Sequence, residues 1–219
     1  MQEKRSPSAG LGVLITGTIL LALGLVAAAG ALWPLRSSYV SVTARASMEP
    51  TYREGTRVAV ERIDGDSVRR GDVVLFAIPD RYSGLPVLQR VVGLGGDRVV
   101  YADGVLTVND RPVTEPYVKP ADFGPPSPDV EVTVPPGRMF LLGDNRGNSN
   151  DSRYFLTEDS GTVPVTAVQG RALADGTAPA VLGLTVLLGV LLVVGGGICV
   201  VVGLRTRMRV AATGPGRYV

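Results

Sequence analysis

Hydrophobic positions follow two different patterns along this chain. Two long runs contain no charged residue, Leu11 to Trp33 and Ala178 to Leu204. Between them, hydrophobic and polar residues alternate in short stretches that are rich in valine. A period of two predicts β-strands, whereas an uncharged run of about 20 residues is long enough for a helix to cross a membrane. The pattern therefore predicts a mainly β domain carried between two transmembrane helices.

The middle of the chain divides into predicted strands separated by turn residues. RVAVERI, DVVLFAIP, VLQRVVGL and DRVVY follow one another after Thr56. Asp103-Gly104 between VVYA and VLTV is typical of a hairpin turn, and Asn109-Asp110 ends the second arm. VEVTVPPGRMFLLGDN returns to the strand pattern.

The segments around these strands are predicted to be connectors. Pro34 to Ser41 is interpreted as a short link to a strand in SYVSVTARA that ends at Ser47. Lys119 to Asp129 contains four prolines and is interpreted as an exposed loop. Ala167 to Asp175 is interpreted as the segment that leads back to the membrane.

Basic residues at both ends of the chain predict its orientation. Lys4 and Arg5 precede the first run, and Arg205, Arg207 and Arg209 follow the second. Since cytoplasmic flanks of membrane helices are enriched in lysine and arginine, both termini are expected in the cytoplasm and the middle outside it. The predicted parts are a cytoplasmic tail at 1–10, a transmembrane helix at 11–33, an extracytoplasmic β domain at 34–177, a transmembrane helix at 178–204 and a basic cytoplasmic tail at 205–219.

A cleaved secretory signal is the alternative interpretation of the first run. AAAGA resembles a cleavage site of small residues. The hydrophobic part, however, exceeds the about 7 to 15 residues that such signals use. We therefore interpret it as a retained anchor of a multi-pass protein of the cytoplasmic membrane, with the lipid bilayer as a partner.

Composition excludes several kinds of site. The 219 residues carry a net charge of only +2, so nucleic acid is not an expected partner. The chain has no histidine, which excludes a Ser-His-Asp triad and imidazole metal ligands. Its one cysteine, Cys199, lies in the second hydrophobic run, so no intrachain disulfide can form. No metal or other cofactor is predicted.

Three segments, in the same order, resemble the type I signal peptidases. SMEPT at Ser47 to Thr51 is similar to their nucleophile box, RVVGLGGD at Arg90 to Asp97 to their RVVGLPGD box, and GDNRGNSNDSR at Gly143 to Arg153 to their GDNRxNSxDSR box. Members of this family are membrane-anchored serine peptidases that remove the signal peptides of exported proteins outside the cytoplasmic membrane. The resemblance implies the same fold and a peptide bond cleaved after small residues.

The resemblance also implies roles for individual residues. Ser47 would be the nucleophile, with its backbone amide as an oxyanion donor, and Met48 a wall of the pocket beside it. Ser149 would be a hydroxyl partner near the base. Asp151 and Arg153 would form an ion pair that shapes the site. Another residue of the third box, Asp144, is predicted to support it.

Two positions depart from the family pattern. The family's general base is a lysine immediately before the RVVG box, and here that position is Gln89. A carboxamide has no ionisable nitrogen and cannot take the proton of Ser47. Arg45 stands where many members carry a serine or glycine associated with the oxyanion hole. We expect Gln89 side by side with Ser47, within about 8 Å, since a larger gap exceeds the reach of one bridging water.

No other residue is expected to be an efficient base. Arg90 is a poor candidate because its pKa exceeds about 12 and because neighbouring strand residues point to opposite faces. Lys119 lies in the proline-rich segment, where rigid placement beside Ser47 is not expected. An acidic residue, or a water held by Gln89, would accept the proton less efficiently.

Three hypotheses of function follow. The first is an active signal peptidase that forms an acyl-enzyme at Ser47. The second is a catalytically impaired or inactive relative that binds exported or membrane peptides in the same groove, which rests on Gln89. The third, a self-cleaving peptidase of the repressor type, is disfavoured by the two hydrophobic runs and by the lack of a DNA-binding segment.

Overall fold

The computed structural model describes residues 10–119, 128–174 and 176–212. The chain divides into two compact units. One contains residues 1–37 and 177–219 and is helical where it is described, and the other, Ser38–Gly176, contains the strands.

The helical unit consists of two helices, α1 at Leu11–Ser38 and α2 at Thr177–Ala212. Both are long and apolar enough to cross a membrane, and only 11% and 17% of their most apolar windows are buried. Such exposure differs from that of a core helix in a soluble protein. The two predicted hydrophobic runs are therefore helical.

Both helices extend beyond the charge-free runs. α1 includes Pro34 and ends at Ser38, so the predicted connector Pro34 to Ser41 is in fact the last helical turn followed by the start of a strand. Ser37 Oγ donates a hydrogen bond to the carbonyl of Trp33 across this end. α2 continues eight residues past Leu204 because arginine, methionine and alanine are good helix formers. Charge marks where a hydrophobic run ends, whereas backbone hydrogen bonds decide where a helix ends.

Glycines at seven-residue spacing allow the two helices to touch. A Cβ atom on Gly17 would lie 2.8 Å from the carbonyl oxygen of Gly196, and one on Gly24 would lie 2.6 Å from that of Gly189. The helices are therefore antiparallel at this contact, with no room for a side chain. Small residues repeated on one helix face are typical of close packing between membrane helices.

Within the described residues, eleven strands build the β domain, which confirms the prediction of a mainly β fold. They are β1 Tyr39–Thr43, β2 Arg57–Glu61, β3 Val73–Phe76, β4 Val87–Leu94, β5 Arg98–Ala102, β6 Val105–Val108, β7 Arg111–Pro112, β8 Val130–Thr133, β9 Arg138–Leu142, β10 Val163–Pro164 and β11 Val168–Ala172. One sheet has the order β1-β2-β11-β3-β4-β9-β10 and the other β7-β6-β5-β8. Within the described ranges, all pairings between these strands are antiparallel.

Two hairpin turns agree with the prediction from sequence. Asp103 and Gly104 join β5 to β6 with φ of 50° and 79°, and Asn109 and Asp110 join β6 to β7 with φ of 51° and 60°. Residues of these types adopt positive φ at low cost, as turns between twisted strands require. Of the predicted proline-rich loop, residues 120–127 lie outside the described residues.

Three strands were missed, the two-residue strands β7 and β10 and the longer strand β11. The segment interpreted as leading back to the membrane contains β11, which lies between β2 and β3 in the larger sheet. Its sequence VQGRA is short and has a glycine at its centre, and Gly170 lies so close to β2 that a Cβ atom there would be 2.5 Å from the carbonyl oxygen of Glu61. Close backbone approach between β11 and β2 therefore accompanies the pairing of this strand.

Hydrophobic clusters cover both faces of the larger sheet. On β3, Val73 and Leu75 belong to a cluster on one face, and Val74 and Phe76 to a cluster on the opposite face. All four side chains are buried, so the strand's period of two separates two cores and not a core from solvent. Residues at the start of the chain's β domain complete the first cluster, and these are Ala44, Met48, Val58 and Val60.

Candidate active site

Ser47 is the middle residue of a short 3₁₀ turn, Ala46–Met48, that follows β1. The turn is anchored by Met48, whose side chain is 0% exposed and packs in the cluster with Ala44 and Leu88. Met48 does not line the cavity at Ser47. Its place is therefore in the core beneath the serine, and not in a pocket wall as predicted.

A cavity of about 460 Å³ opens at Ser47. Gln89, on β4, lines the same cavity, so the fold brings these two predicted residues together although 42 positions separate them in sequence. The complete lining is Arg45, Ala46, Ser47, Glu54, Tyr82, Val87, Gln89, Asn148 and Asn150. Glu54 is the only carboxylate in this lining within the described part of the chain.

The carboxamide of Gln89 is held by two acceptors. Nε2 donates to the hydroxyl of Tyr82 at 3.2 Å and to the carbonyl oxygen of Asn150 at 3.0 Å. Because a carbonyl can only accept, the nitrogen and not the oxygen of the carboxamide must face Asn150. Gln89 is 3% exposed, so this orientation is that of a buried and bonded group.

Tyr82 is the neighbour that completes this arrangement. Its hydroxyl donates to the carbonyl oxygen of Asn150 at 2.8 Å, and its ring meets those of Phe76 and Phe155 edge to face. Burial raises the pKa of Tyr82 to about 12, and the negative charge of Asp151 acts in the same direction. The phenol therefore stays protonated at neutral pH.

A buried ion pair lies behind the site. Asp151 and Arg153 are joined by two hydrogen bonds of 2.8 Å, from Nε to Oδ1 and from Nη2 to Oδ2, and both side chains are 0% exposed. The backbone N–H of Gly143 also donates to Oδ2 at 3.0 Å. The predicted pair is thus present, and it ties the residues of the third box together.

Ser149 lies against the turn Ala46–Met48, but its hydroxyl is not paired with any described residue. Its Oγ is buried and has no hydrogen-bond partner among the residues that the structure describes. A Cβ atom on Gly143 would lie 2.1 Å from this oxygen and 2.7 Å from the carbonyl oxygen of Ser47. Glycine is therefore required where the third box passes beneath Ser47.

Arg90 points away from the cavity, as strand alternation predicts. Its Nε and Nη2 donate to the two carboxylate oxygens of Asp144 at 2.8 and 2.6 Å, and its guanidinium lies 3.8 Å from the ring centre of Tyr117. Burial alone would lower the pKa of Arg90, but the hydrogen bonds and the charge of Asp144 outweigh it and raise the pKa. Thr51 Oγ1 also donates to Asp144, so this carboxylate links β4 to the end of the SMEPT segment.

Lys119 and Arg45 have different surroundings. Lys119 Nζ forms an ion pair with Glu49 Oε2 at 3.3 Å and lines a separate hollow, not the cavity of Ser47. Arg45 lines that cavity and is exposed. A second hollow of only about 30 Å³ adjoins Ser47, and its wall consists of Val42, Thr43, Arg45, Ser47, Leu75, Pro86, Val87 and Leu88.

Several residues of the site were not found from sequence. Tyr82 gave no signal because it lies in a turn with positive φ at 55°, outside any strand pattern. Asn145 lies within the third box, but only the structure shows that its side chain reaches Ala46 and its backbone reaches Ser47. Glu54 and Asn150 lie in irregular segments and become neighbours of Ser47 only through the fold.

Comparison with known proteins decides the family. The family model described as signal peptidase, peptidase S26, matches residues 15–175. The chain belongs to this family. Signal peptidase I of Bacillus caldolyticus is 34% identical over 138 residues, which are 57% of this chain and 71% of that protein. Signal peptidase I V of Bacillus subtilis is 35% identical over 122 residues, which are 50% and 71% of the two chains.

Other signal peptidases match a smaller share of this chain. Signal peptidase I of Mycobacterium tuberculosis is 42% identical over 118 residues, 44% of this chain but only 37% of that protein. A crystal structure of a signal peptidase I from Enterococcus faecalis is 33% identical, with 48% of this chain and 96% of that chain covered and a TM-score of 0.41.

Proposed function

We propose that this protein is a signal-peptidase-type serine endopeptidase in which Ser47 is the nucleophile and Gln89 occupies the position of the family's lysine. The observation that supports this most directly is that Ser47 and Gln89 line one cavity, with the third box behind the serine. Ser47 Oγ would add to the scissile carbonyl and form an acyl-enzyme as the amine leaves. Water would then hydrolyse the ester.

The shape of the site supports a preference for small residues before the cleaved bond. The hollow of about 30 Å³ beside Ser47 has room for a methyl group but not for a large side chain. Val42 and Thr43, in its wall, belong to β1, which is the end strand of the larger sheet. An extended peptide can pair with such an edge. Signal peptides of exported proteins are therefore the proposed substrates.

Turnover is expected to be slow because the described residues that line the cavity include no efficient base. Gln89 has no titratable nitrogen, and the pKa of Tyr82 is raised to about 12. Lys119 is paired with Glu49 outside the cavity. Positioned general-base catalysis typically contributes about 10² to 10⁴ in rate, so its loss should lower turnover by that order.

A second candidate function is peptide binding without turnover. It is favoured by the bonding of Gln89, because Nε2 uses both of its hydrogens on Tyr82 and Asn150. A carboxamide whose orientation is held by two hydrogen bonds is suited to a rigid surface that binds a peptide. In this case the groove would hold exported or membrane peptides and release them uncleaved.

Replacing Gln89→Lys separates the two candidates. Lysine would place an ammonium on the buried face of β4, where desolvation lowers its pKa toward neutrality. We expect cleavage of a signal-peptide substrate to increase by about 10² to 10⁴. Gln89→Met is the matched control, since it has a similar length and no base. Cleavage should be measured by mass spectrometry of the products, for the full chain in detergent.

Three possible results distinguish a peptidase from a protein that only binds peptides. Slow wild-type cleavage that Gln89→Lys accelerates and Ser47→Ala abolishes supports the peptidase. Ordinary enzymatic rates in the wild type would contradict the proposed lack of a base. Peptide binding with no cleavage, even in Gln89→Lys, would favour the second candidate.

For the membrane topology, we propose that 11–33 and 178–204 lie within the bilayer of the cytoplasmic membrane, that 34–177 faces the extracytoplasmic side, and that the tails 1–10 and 205–219 are cytoplasmic. The flanking basic residues support this orientation. A protease added outside intact cells should cleave within 34–177 and spare both tails. External cleavage near Arg205 would contradict it.

A further inference from the structure

Asn145 makes two separate hydrogen bonds to the nucleophile turn. Its backbone N–H donates to the carbonyl oxygen of Ser47 at 3.0 Å. Its side-chain Nδ2 donates to the carbonyl oxygen of Ala46, also at 3.0 Å. Asn145 is 7% exposed, so both bonds are shielded from water. The two carbonyls belong to the peptide units on either side of the Ser47 α-carbon.

We infer that Asn145 is a positioning residue that orients the backbone N–H of Ser47 toward a developing oxyanion. The inference rests on the proposed function, in which Ser47 is the nucleophile. In a trans peptide unit, the C=O and the N–H point in opposite directions within one plane. The bond from Asn145 to the carbonyl of Ala46 therefore fixes the direction of the N–H of Ser47.

The same contact also strengthens that N–H as a donor. A hydrogen bond accepted by a peptide carbonyl polarises the whole peptide unit and makes its N–H a better donor. The bond to the carbonyl of Ser47 fixes the next peptide unit in the same way. Asn145 thus restrains both backbone torsions of Ser47.

Asn145 is itself held rigidly. The preceding residue, Asp144, is 0% exposed, is bonded to Arg90 and Thr51, and accepts the backbone N–H of Lys119 at 2.9 Å. Asn148 donates its backbone N–H to the carbonyl of Asn145 at 2.9 Å. The pair Asp144 and Asn145 therefore binds both ends of the SMEPT segment, the serine end and the threonine end.

This restraint carries particular weight in this chain. Arg45, two positions before Ser47, is exposed at the cavity, whereas the family pattern that the sequence resembles implies a serine or glycine there. If the Ser47 N–H is the principal donor, its direction decides how well the oxyanion is stabilised. A donor must lie within about 2.7 to 3.1 Å of the oxyanion, so a small rotation of the peptide unit is costly.

The test compares two peptide ligands that differ only at their C-terminus. A signal-peptide aldehyde adds Ser47 Oγ to its carbonyl carbon, and the serine proton passes to the aldehyde oxygen, so the hemiacetal forms with no other reactant. The corresponding peptide alcohol binds the same groove but forms no adduct. The ratio of the two dissociation constants reports adduct formation at equilibrium and does not depend on the rate of proton transfer.

The variants are made in the full chain in detergent. Asn145→Asp keeps the shape and the backbone bond, but it turns a carboxylate oxygen toward the carbonyl of Ala46. Asn145→Ala removes only the side-chain bond and serves if the aspartate variant does not fold. Asn109→Asp is the matched control, because Asn109 also donates a side-chain hydrogen bond, to Asp97 at 2.8 Å, but in the smaller sheet.

We expect Asn145→Asp to reduce the preference for the aldehyde over the alcohol, measured as the ratio of their dissociation constants. The reduction should approach about 10²- to 10³-fold, which is the loss that removal of an oxyanion donor produces. Alcohol binding should stay unchanged, and Asn109→Asp should keep the wild-type preference. A wild-type preference in both Asn145 variants, or equal weakening of both ligands, would overturn the inference. Ser47→Ala distinguishes failure of the proposed function from failure of the role of Asn145. A preference for the aldehyde that survives this change contradicts the proposal that Ser47 is the nucleophile.

Discussion

Replacing Asp151→Asn should destabilise the β domain strongly. Asp151 accepts hydrogen bonds from four donors, the N–H of Gly143 and the N–H, Nε and Nη2 of Arg153. Each carboxylate oxygen takes two of them. In asparagine one of these oxygens becomes an NH₂ group, so two donors would face a donor whichever way the carboxamide turns.

The loss of charge adds to the loss of acceptors. Arg153 is 0% exposed, and without Asp151 its guanidinium would be buried beside a neutral group. Removing one partner of a buried ion pair typically costs about 3 to 5 kcal/mol. For a domain of this size, about 1 kcal/mol lowers the midpoint of thermal unfolding by about 4 °C. We expect a decrease of about 12 to 20 °C on this scale.

The assay is thermal unfolding of the full chain in detergent, followed by the β signal in circular dichroism. Asp110→Asn is the matched control, since Asp110 also pairs with an arginine, Arg98, but on the surface, with 79% of its side chain exposed. Surface ion pairs contribute little to stability. The control should therefore melt like the wild type.

Equal midpoints of thermal unfolding for Asp151→Asn and Asp110→Asn would contradict this prediction. Such a result would mean that water or another group solvates Arg153 once its carboxylate partner is gone. A large decrease in the midpoint together with unchanged peptide binding well below it would place the pair in folding alone.

Two further predictions concern other parts of the molecule. Because the pKa of Tyr82 is raised from its ordinary value of 10.0 to about 12 in the folded protein, its contribution to stability is complete below about pH 10 and is lost as the pH rises toward 12, so Tyr82→Phe should flatten the decline of the unfolding midpoint in this range. A decline parallel to the wild type would show that the phenol does not titrate in this way. In the helical unit, Gly17→Leu should lower the midpoint of α-helix unfolding, because a Cβ atom there meets Gly196 and Cys199 at 2.8 Å, whereas Gly12→Leu faces open space and should not. Equal midpoints for the two variants would mean that the helices do not pack through Gly17.

Local pattern was enough to predict the two apolar helices and the mainly β character of the domain between them. The absence of charge from Leu11 to Trp33 predicted a helix because a long hydrophobic run needs internal backbone hydrogen bonds in an apolar environment. Valine-rich alternation in VLQRVVGL predicted β4 because successive side chains of a β-strand point to opposite faces, which gives a period of two residues. The nucleophile turn and the third box were recognised from their residues, since each is a short continuous segment.

Tertiary structure decided what each of those residues touches. Met48 was expected in a pocket wall, but its hydrophobic side chain is buried beneath Ser47 because the core closes around it. The partners of Gln89 are Tyr82 and Asn150, the second of them 61 residues away. No pattern in the neighbouring sequence encodes such contacts, because they exist only once β4 and the third box have been brought together.

The strand β11 and the contact of Asn145 with Ser47 illustrate the same limit. VQGRA becomes a strand because β2 and β3 supply hydrogen-bonding partners on both sides, although five residues with a glycine at their centre give little strand signal of their own. Asn145 reaches the carbonyls of the nucleophile turn across about 100 residues of chain. Periodicity predicts which side chains of a segment lie on the same face. Which distant segment packs against that face is decided by hydrogen bonds and packing that form only in the folded protein.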